Sequence, residues 1–220
     1  MRAVVVHSFY RSENASGENL SVLDEIAGLR ELGWDVEVLS ADSDVILSGD
    51  VPLRELAFRP VYSAPSVRRA RQTIQRFRPD VVLVENVFPL HSPWVIRTFT
   101  DAGIPVAAGV RSYRMWCVAS TLYRDGAVCH DCVGSVANGP AVRHGCYQDS
   151  PVRSVPMAAA LALHRGTFRR IGAFLAVNDV MTVDELKSAL VEQLSSKFSQ
   201  VVIDGNLAAV DRANKELVSA

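Results

Sequence analysis

"AVVVHSFYRSENASGENLSVLDEIAGLRELGWDVEVLS", from Ala3 to Ser40, decides the fold class. It begins with AVVVH, a β-branched apolar run without polar alternation, which is the pattern of a strand covered on both faces. A polar loop, SFYRSENASG, follows. From Glu18 to Leu32 the apolar Leu20, Leu23, Ile26, Ala27 and Leu29 recur at helical spacing, and Gly33 suits the C-terminal cap. DVEVLS, Asp35 to Ser40, reads as the next strand. Strand, glycine-bearing loop, helix and strand make one βαβ unit.

The rhythm continues outward from this unit. DVVLVEN (Asp80–Asn86) and IPVAAGV (Ile104–Val110) read as further strands. APSVRRARQTIQRF lies before the first of them as a helix whose Val67, Ala70, Ile74 and Phe77 share one face. SPWVIRTFTDAG separates the two strands as another helix, with Pro93 near its start and Gly103 past its end. Ser112 to Ser150 breaks the pattern, being rich in Gly, Cys, His and Asp, and reads as a loop insertion. A helix over PVRSVPMAAALALHRGTFRR follows, then strand AFLAV, helix VDELKSALVEQL, strand SQVVI and helix AAVDRANKELV. The expectation is an α/β protein with a doubly wound parallel sheet, one Rossmann-like domain over residues 1–220 with an insertion at 112–150.

Composition narrows the function classes. A chain of 220 residues that is 49% hydrophobic has ample material for a core. A formal net charge of -1 gives no support to a nucleic-acid partner. Only Ala3 to Val6 are continuously apolar near the start, too few for a signal-peptide core, and no run approaches the roughly 18 residues of a spanning helix. The expected location is the cytoplasm. There a structural disulfide is disfavoured, and clustered cysteines point to metal or catalysis.

Taken together, ASGENLSVLDEIAGLRELGWDVEVLS, RPDVVLVENVFPLHSPWVIRTFTDAGIPV and RSYRMWCVASTLYRDGAVCHDCVG resemble, in order, the N-terminal, acceptor-side domain of family 4 glycosyltransferases. PAVRHGCYQDS, AAALALHRGTFRRIGAFLAV and SSKFSQVVIDGN continue the likeness. The resemblance implies one half of a two-domain GT-B fold and one half of a retaining glycosyltransferase. This half would hold a sugar or lipid-linked acceptor, and a donor-binding domain from a partner would bring the nucleotide-sugar and the catalytic glutamate pair. On that expectation the isolated chain is inactive. A binding or scaffold module of the same fold is the alternative. A stand-alone nucleotide-binding protein is disfavoured, because GENLSV lacks the Gly-x-Gly spacing.

Several residues carry the chemistry. Gly17, followed by Glu18, sits where the family's glycine loop would approach the donor diphosphate; Ser16 replaces one of its usual two glycines. The structural alternative is a glycine required by a tight turn. Glu85 and Asn86 end a strand, where open α/β sheets place ligands, and are candidates for bonds to acceptor hydroxyls. His91 reads as a residue at a helix start rather than a base. Arg111 and Ser112 stand where relatives commonly have His and Asn; arginine stays protonated and cannot act as a base, although it could hold a phosphate. Tyr113 and Arg114 match the family pattern.

Cys117, Cys129, Cys132 and Cys146 combine a C-x-x-C pair with two outlying cysteines, a set suited to a closed structural zinc site, with His130 and His144 as alternative ligands. Unliganded thiols are the plain alternative. The Val152–Arg170 helix, with Arg153, Arg165, Arg169 and Arg170 beside an Ala- and Leu-rich side, could rest peripherally on an anionic membrane, or simply pair a core face with a solvated one.

Overall fold

The computed structural model describes residues 1–10, 16–44, 46, 51–135, 137–175 and scattered positions between 187 and 211. Contacts divide the chain into two compact units, Met1–Ala176 and Val177–Ala220.

The first unit is built on a five-stranded parallel sheet. Its strands are β1 (Arg2–Phe9), β2 (Asp35–Asp42), β3 (Val81–Asn86), β4 (Val106–Gly109) and, after a long connection, β7 (Ala173–Leu175). Their spatial order is β2-β1-β3-β4-β7. The order reverses beside β1, which makes a topological switch point at the carboxyl ends of β1 and β3. The helices are α1 (Gly17–Glu31), α2 (Leu53–Phe58), α3 (Ala64–Phe77), α4 (Trp94–Asp101), α5 (Gly139–Arg143) and α6 (Pro151–Phe168). Apart from α2 and α5, each long helix and each strand of the sheet falls where the periodicity predicts it.

Burial explains the strand sequences. Val4, Val5, Val6, Val82 and Val84 are fully inaccessible, since helices cover both faces. One core joins alternate residues of β1 and β3 to α3, α4 and α6 through Ala70, Ile96, Phe99 and Leu161. The smaller core on the other face is closed by Val22 and Ile26 of α1. Here the predicted face of α1 needs correction. Leu20 and Leu23 are 61% and 49% exposed, because the stripe that meets β1 and β2 runs through Val22 and Ile26. The Ala- and Leu-rich side of α6 is a core face, with Met157, Ala158, Ala160 and Leu161 buried.

Between β4 and α6 the chain forms a 3₁₀ turn (Tyr113–Met115), a small antiparallel hairpin of β5 (Tyr123–Arg124) and β6 (Ala127–Val128), and then α5. In the second unit, the predicted strand SQVVI is instead helical at Gln200, Val201 and Ile203, where the Ile203 amide donates to the Ser199 carbonyl in an i to i−4 bond. A short β-branched run is ambiguous between strand and helix, and local backbone pairing decides it here. Helical positions at Lys187, Ser188, Val191, Ala208 and Asp211 agree with the predicted helices, whose other residues lie outside the described set. Lys187 and Asp211 share an ion pair.

Candidate acceptor site

At their carboxyl ends β1 and β3 change character. The apolar runs give way to His7 and Ser8 on β1 and to Glu85 and Asn86 on β3, all buried. His7 and Asn86 are paired in register across the two strands. Burying polar groups is costly unless they are bonded. Yet His7 Nδ1, Ser8 Oγ, Glu85 Oε1, Asn86 Nδ2 and, just beyond β4, Arg114 Nε are buried without a hydrogen-bond partner.

Each of these side chains is held by its other polar atoms. Asn19 in the first turn of α1 is the anchor beside β1: its Oδ1 accepts from the Tyr10 amide (3.2 Å) and lies 3.1 Å from His7 Nε2. Burial lowers the His7 pKa, so the ring is neutral at physiological pH. Its Nε2–H then faces Asn19 and its Nδ1 is left as an acceptor. Asn86 Oδ1 accepts from the Phe88 amide at 2.9 Å, which fixes the turn after β3 and leaves the Nδ2 donors unspent. The Tyr10 hydroxyl donates to Glu18 Oε2 (3.1 Å) and accepts from Arg114 Nη2 (3.1 Å).

Glu85 is the most constrained member. Its side chain is fully buried, and its Oε2 accepts from Arg111 Nε at 2.7 Å. Arg111 Nη2 donates to Glu25 Oε2 of α1 at 2.6 Å. Burial, then the nearby Glu25 charge, raises the Glu85 pKa above the ordinary carboxylate value against the pull of Arg111. Burial alone would lower the Arg111 pKa; its bonds to the two carboxylates reverse that and raise it. A Cβ at position 109 would fall 2.3 Å from Glu85 Oε2, so the glycine that ends β4 makes room for the carboxyl of the neighbouring strand. Glu85, Asn86, Gly109, Arg111 and Arg114 line a cavity of about 20 Å³. A water needs roughly 10–15 Å³ by the same kind of measure, so the cavity admits one hydroxyl-sized group rather than a sugar ring.

The predicted residues thus fall into three groups. Glu85, Asn86, Arg111 and Arg114 come together at the strand ends. Glu18 joins them through Tyr10. Gly17 is the first residue of α1, behind the N-cap Ser16, whose Oγ accepts from the Asn19 amide. The Gly17 backbone is not left-handed and an added Cβ meets no described atom, so no turn geometry there demands glycine. Tyr113 is half exposed and uses its backbone: its carbonyl accepts from the Trp116 and Cys117 amides. Arg111 is clasped by two carboxylates, and an anion approaching it meets both. His91 is a core histidine. Its Nδ1 lies 2.8 Å from Ser66 Oγ, and burial with the Arg69 charge brings its pKa down to about 4.

Sequence reasoning missed His7, Ser8, Tyr10, Asn19, Glu25 and Gly109. A signal for the first two was present, since His7 and Ser8 end an apolar strand just as Glu85 and Asn86 do.

The four cysteines are free and partly buried. Burial raises the pKa of Cys132 and Cys146, and the charges of the other cysteines add to this, so the thiols lie within electrostatic reach of one another. As the side chains stand, no group of three or more His, Cys, Asp or Glu among the described residues is gathered closely enough to hold a metal ion.

A family model described as glycosyl transferase 4-like domain matches residues 16–184. The chain belongs to that family. The match begins at the N-cap of α1 and runs through β2, β3, β4 and the cysteine-bearing segment. No curated protein matches the chain. Among solved structures it is similar to an ABC sugar transporter subunit from Rhodobacter sphaeroides 2.4.1, at 13% identity and a TM-score of 0.33, over 89% of this chain and 64% of that one. A carbohydrate transporter from Acidothermus cellulolyticus 11B in complex with myo-inositol matches at 15% identity and TM-score 0.31, over 89% and 61%. A sugar transporter from Clostridium phytofermentans matches at 15% and 0.30, over 89% and 66%. The chain therefore spans under two thirds of the length of each of these structures. Among the described residues, no helix of this glycosyl transferase 4-like domain is long and apolar enough to cross a membrane.

Proposed function

We propose that the domain binds the acceptor in a retaining glycosyl transfer, with the nucleotide-sugar carried by a donor-binding domain that faces it. The observation that supports this reading is the set of unpaired buried groups at the strand ends. His7 Nδ1 and Glu85 Oε1 offer acceptor positions, Asn86 Nδ2 and Arg114 Nε are donors, and Ser8 Oγ serves as either. A ligand bearing neighbouring hydroxyls, each both donor and acceptor, satisfies such a mixture, whereas an anion satisfies only the donors. The small cavity behind Glu85 and Asn86 takes one such hydroxyl, so the sugar ring stays outside the strand ends, toward the donor. Gly17, with no Cβ in front of the α1 amides, leaves room for the donor diphosphate.

A lipid-linked acceptor is favoured over a free glycan by a second feature. An apolar cavity of about 380 Å³, lined by Leu56, Pro60, Leu90, Val152 and Met157, opens next to the turn that leaves β3, and Arg153 lines it as well. That cavity suits the first units of an acyl or isoprenoid chain, and Arg153 suits the phosphate that joins it to the sugar.

Incubating the chain with a candidate donor-domain partner, labelled nucleotide-sugars and lipid-linked glycans tests the reading. Product that requires both proteins supports it. Stable complex formation with no product under any donor would favour the scaffold alternative, which the closure of Arg111 by Glu25 and Glu85 already recommends.

A further inference from the structure

The segment between β4 and α6 holds its shape with unusually little core. Among its described residues only Val118 and Ala141 are buried hydrophobics. It nevertheless contains Ser120, Leu122, Asp125, Asn138, Gln148 and Asp149 at positive φ, six of the seven such non-glycine residues described in the chain. Left-handed backbone is tolerated by Asn and Asp but is an outlier for a residue such as Leu122, and it persists only where the surroundings impose it. Two buried apolar side chains are a weak constraint for that task.

The connections inside the segment converge on its cysteines. The Cys129 amide donates to the Leu122 carbonyl at the base of the β5–β6 hairpin, and the Cys117 amide to Tyr113. The Cys146 amide donates to the Ala141 carbonyl. Arg124 of β5 donates to Asp131 (3.1 Å), which lies inside the C-x-x-C turn, and Asp131 stands 3.8 Å from His144, two residues before Cys146. The hairpin, the C-x-x-C turn and the end of α5 are thereby drawn together around the thiols, and Cys132 and Cys146 pack on the main core.

We propose that Cys117, Cys129, Cys132 and Cys146 bind one structural zinc ion that clips this segment to the main core. Four thiols would each lose a proton to solvent and donate a sulfur lone pair, giving a four-thiolate site of net charge -2, with no change in oxidation state. Arg124 supplies compensating positive charge, since its guanidinium is held at Asp131 inside the C-x-x-C turn. The four cysteines are not gathered closely enough to hold a metal ion as they stand, so binding requires the cysteine side chains and the turns that carry them to draw together. A closed set of four protein ligands leaves no open position for substrate, which assigns the ion a structural role.

The direct test is elemental analysis together with native mass spectrometry of the wild-type chain, purified under reducing conditions without added metal. The expected result is about one zinc ion per chain, released by a thiol-modifying reagent with colorimetric detection of the zinc. Zinc is expected to be lost in Cys129→Ser/Cys132→Ser and retained in His130→Ala and His144→Ala. A metal-free wild-type chain with four reactive thiols, or with an internal disulfide, overturns the proposal without recourse to any variant. Loss of zinc on replacing either histidine overturns the four-thiolate assignment.

Discussion

The middles and the carboxyl ends of β1 and β3 are a few residues apart and equally buried, yet they are built for different ends. Val4, Val5, Val6, Val82 and Val84 fill the core with nothing unsatisfied. His7, Ser8, Glu85 and Asn86 bury polar atoms that find no partner in the fold. A protein optimised for stability alone would continue the valines. The difference teaches that the strand bodies stabilise the fold while their ends bear an energetic cost that a ligand can offset, as open α/β sheets do at a switch point.

Phe99→Ala is the strongest way to probe the strand-body half of this contrast. Phe99 is fully buried against that core, and its truncation is expected to cost about 3–5 kcal/mol in urea unfolding. Acidification comes next. His91 is held neutral in the fold with a pKa of about 4 against 6.5 when unfolded, so its contribution is complete above pH 6.5 and is lost as pH falls toward 4. The loss approaches about 3 kcal/mol, and His7 and His164, whose pKa values are also lowered by burial, push in the same direction. Unfolding measured between pH 7 and pH 4 should show this fall, and His91→Gln should flatten it; an equal slope in the variant would remove His91 as the cause.

Gly109→Ala sharpens the strand-end half. The new methyl group collides with a carboxyl pinned by Arg111, and a cost of about 1–3 kcal/mol is expected. In an Glu85→Ala background the same change should cost much less, which a double-mutant cycle reads directly. The finest comparison concerns Glu85 itself. Its pKa is raised in the fold, so the folded state holds this proton more tightly than the unfolded chain, and stability is lost as pH rises from the ordinary carboxyl range through the raised value. Glu85→Gln should remove that portion of the pH dependence, and an unchanged profile would show that the carboxyl titrates normally.

Much of this was legible in the sequence, for physical reasons that also set the limit. Parallel strands covered on both faces are apolar throughout, so β1, β3 and β4 stand out, and a carboxylate closing an apolar run marks Glu85. Gly109 carries no such mark, because its role exists only once β4 pairs with β3 and brings it against Glu85. Glu25 is equally silent: it meets Arg111 across 86 positions of sequence. The face of α1 was misread because Leu20 and Leu23 keep helical spacing with Ile26 while pointing away from the sheet. SQVVI offered the same apolar text to strand and helix.

The most direct test of the central claim is equilibrium binding of the wild-type chain, Asn86→Ala and Glu85→Gln to a panel of neutral and lipid-linked glycans, with circular dichroism confirming that each variant is folded. The account predicts that the wild type binds a hydroxyl-rich glycan and that each substitution weakens it by about tenfold or more, roughly the 1.4 kcal/mol of a lost hydrogen bond. Binding that is unchanged in both variants would contradict it, for the unpaired groups at the strand ends would then not be where the acceptor is held.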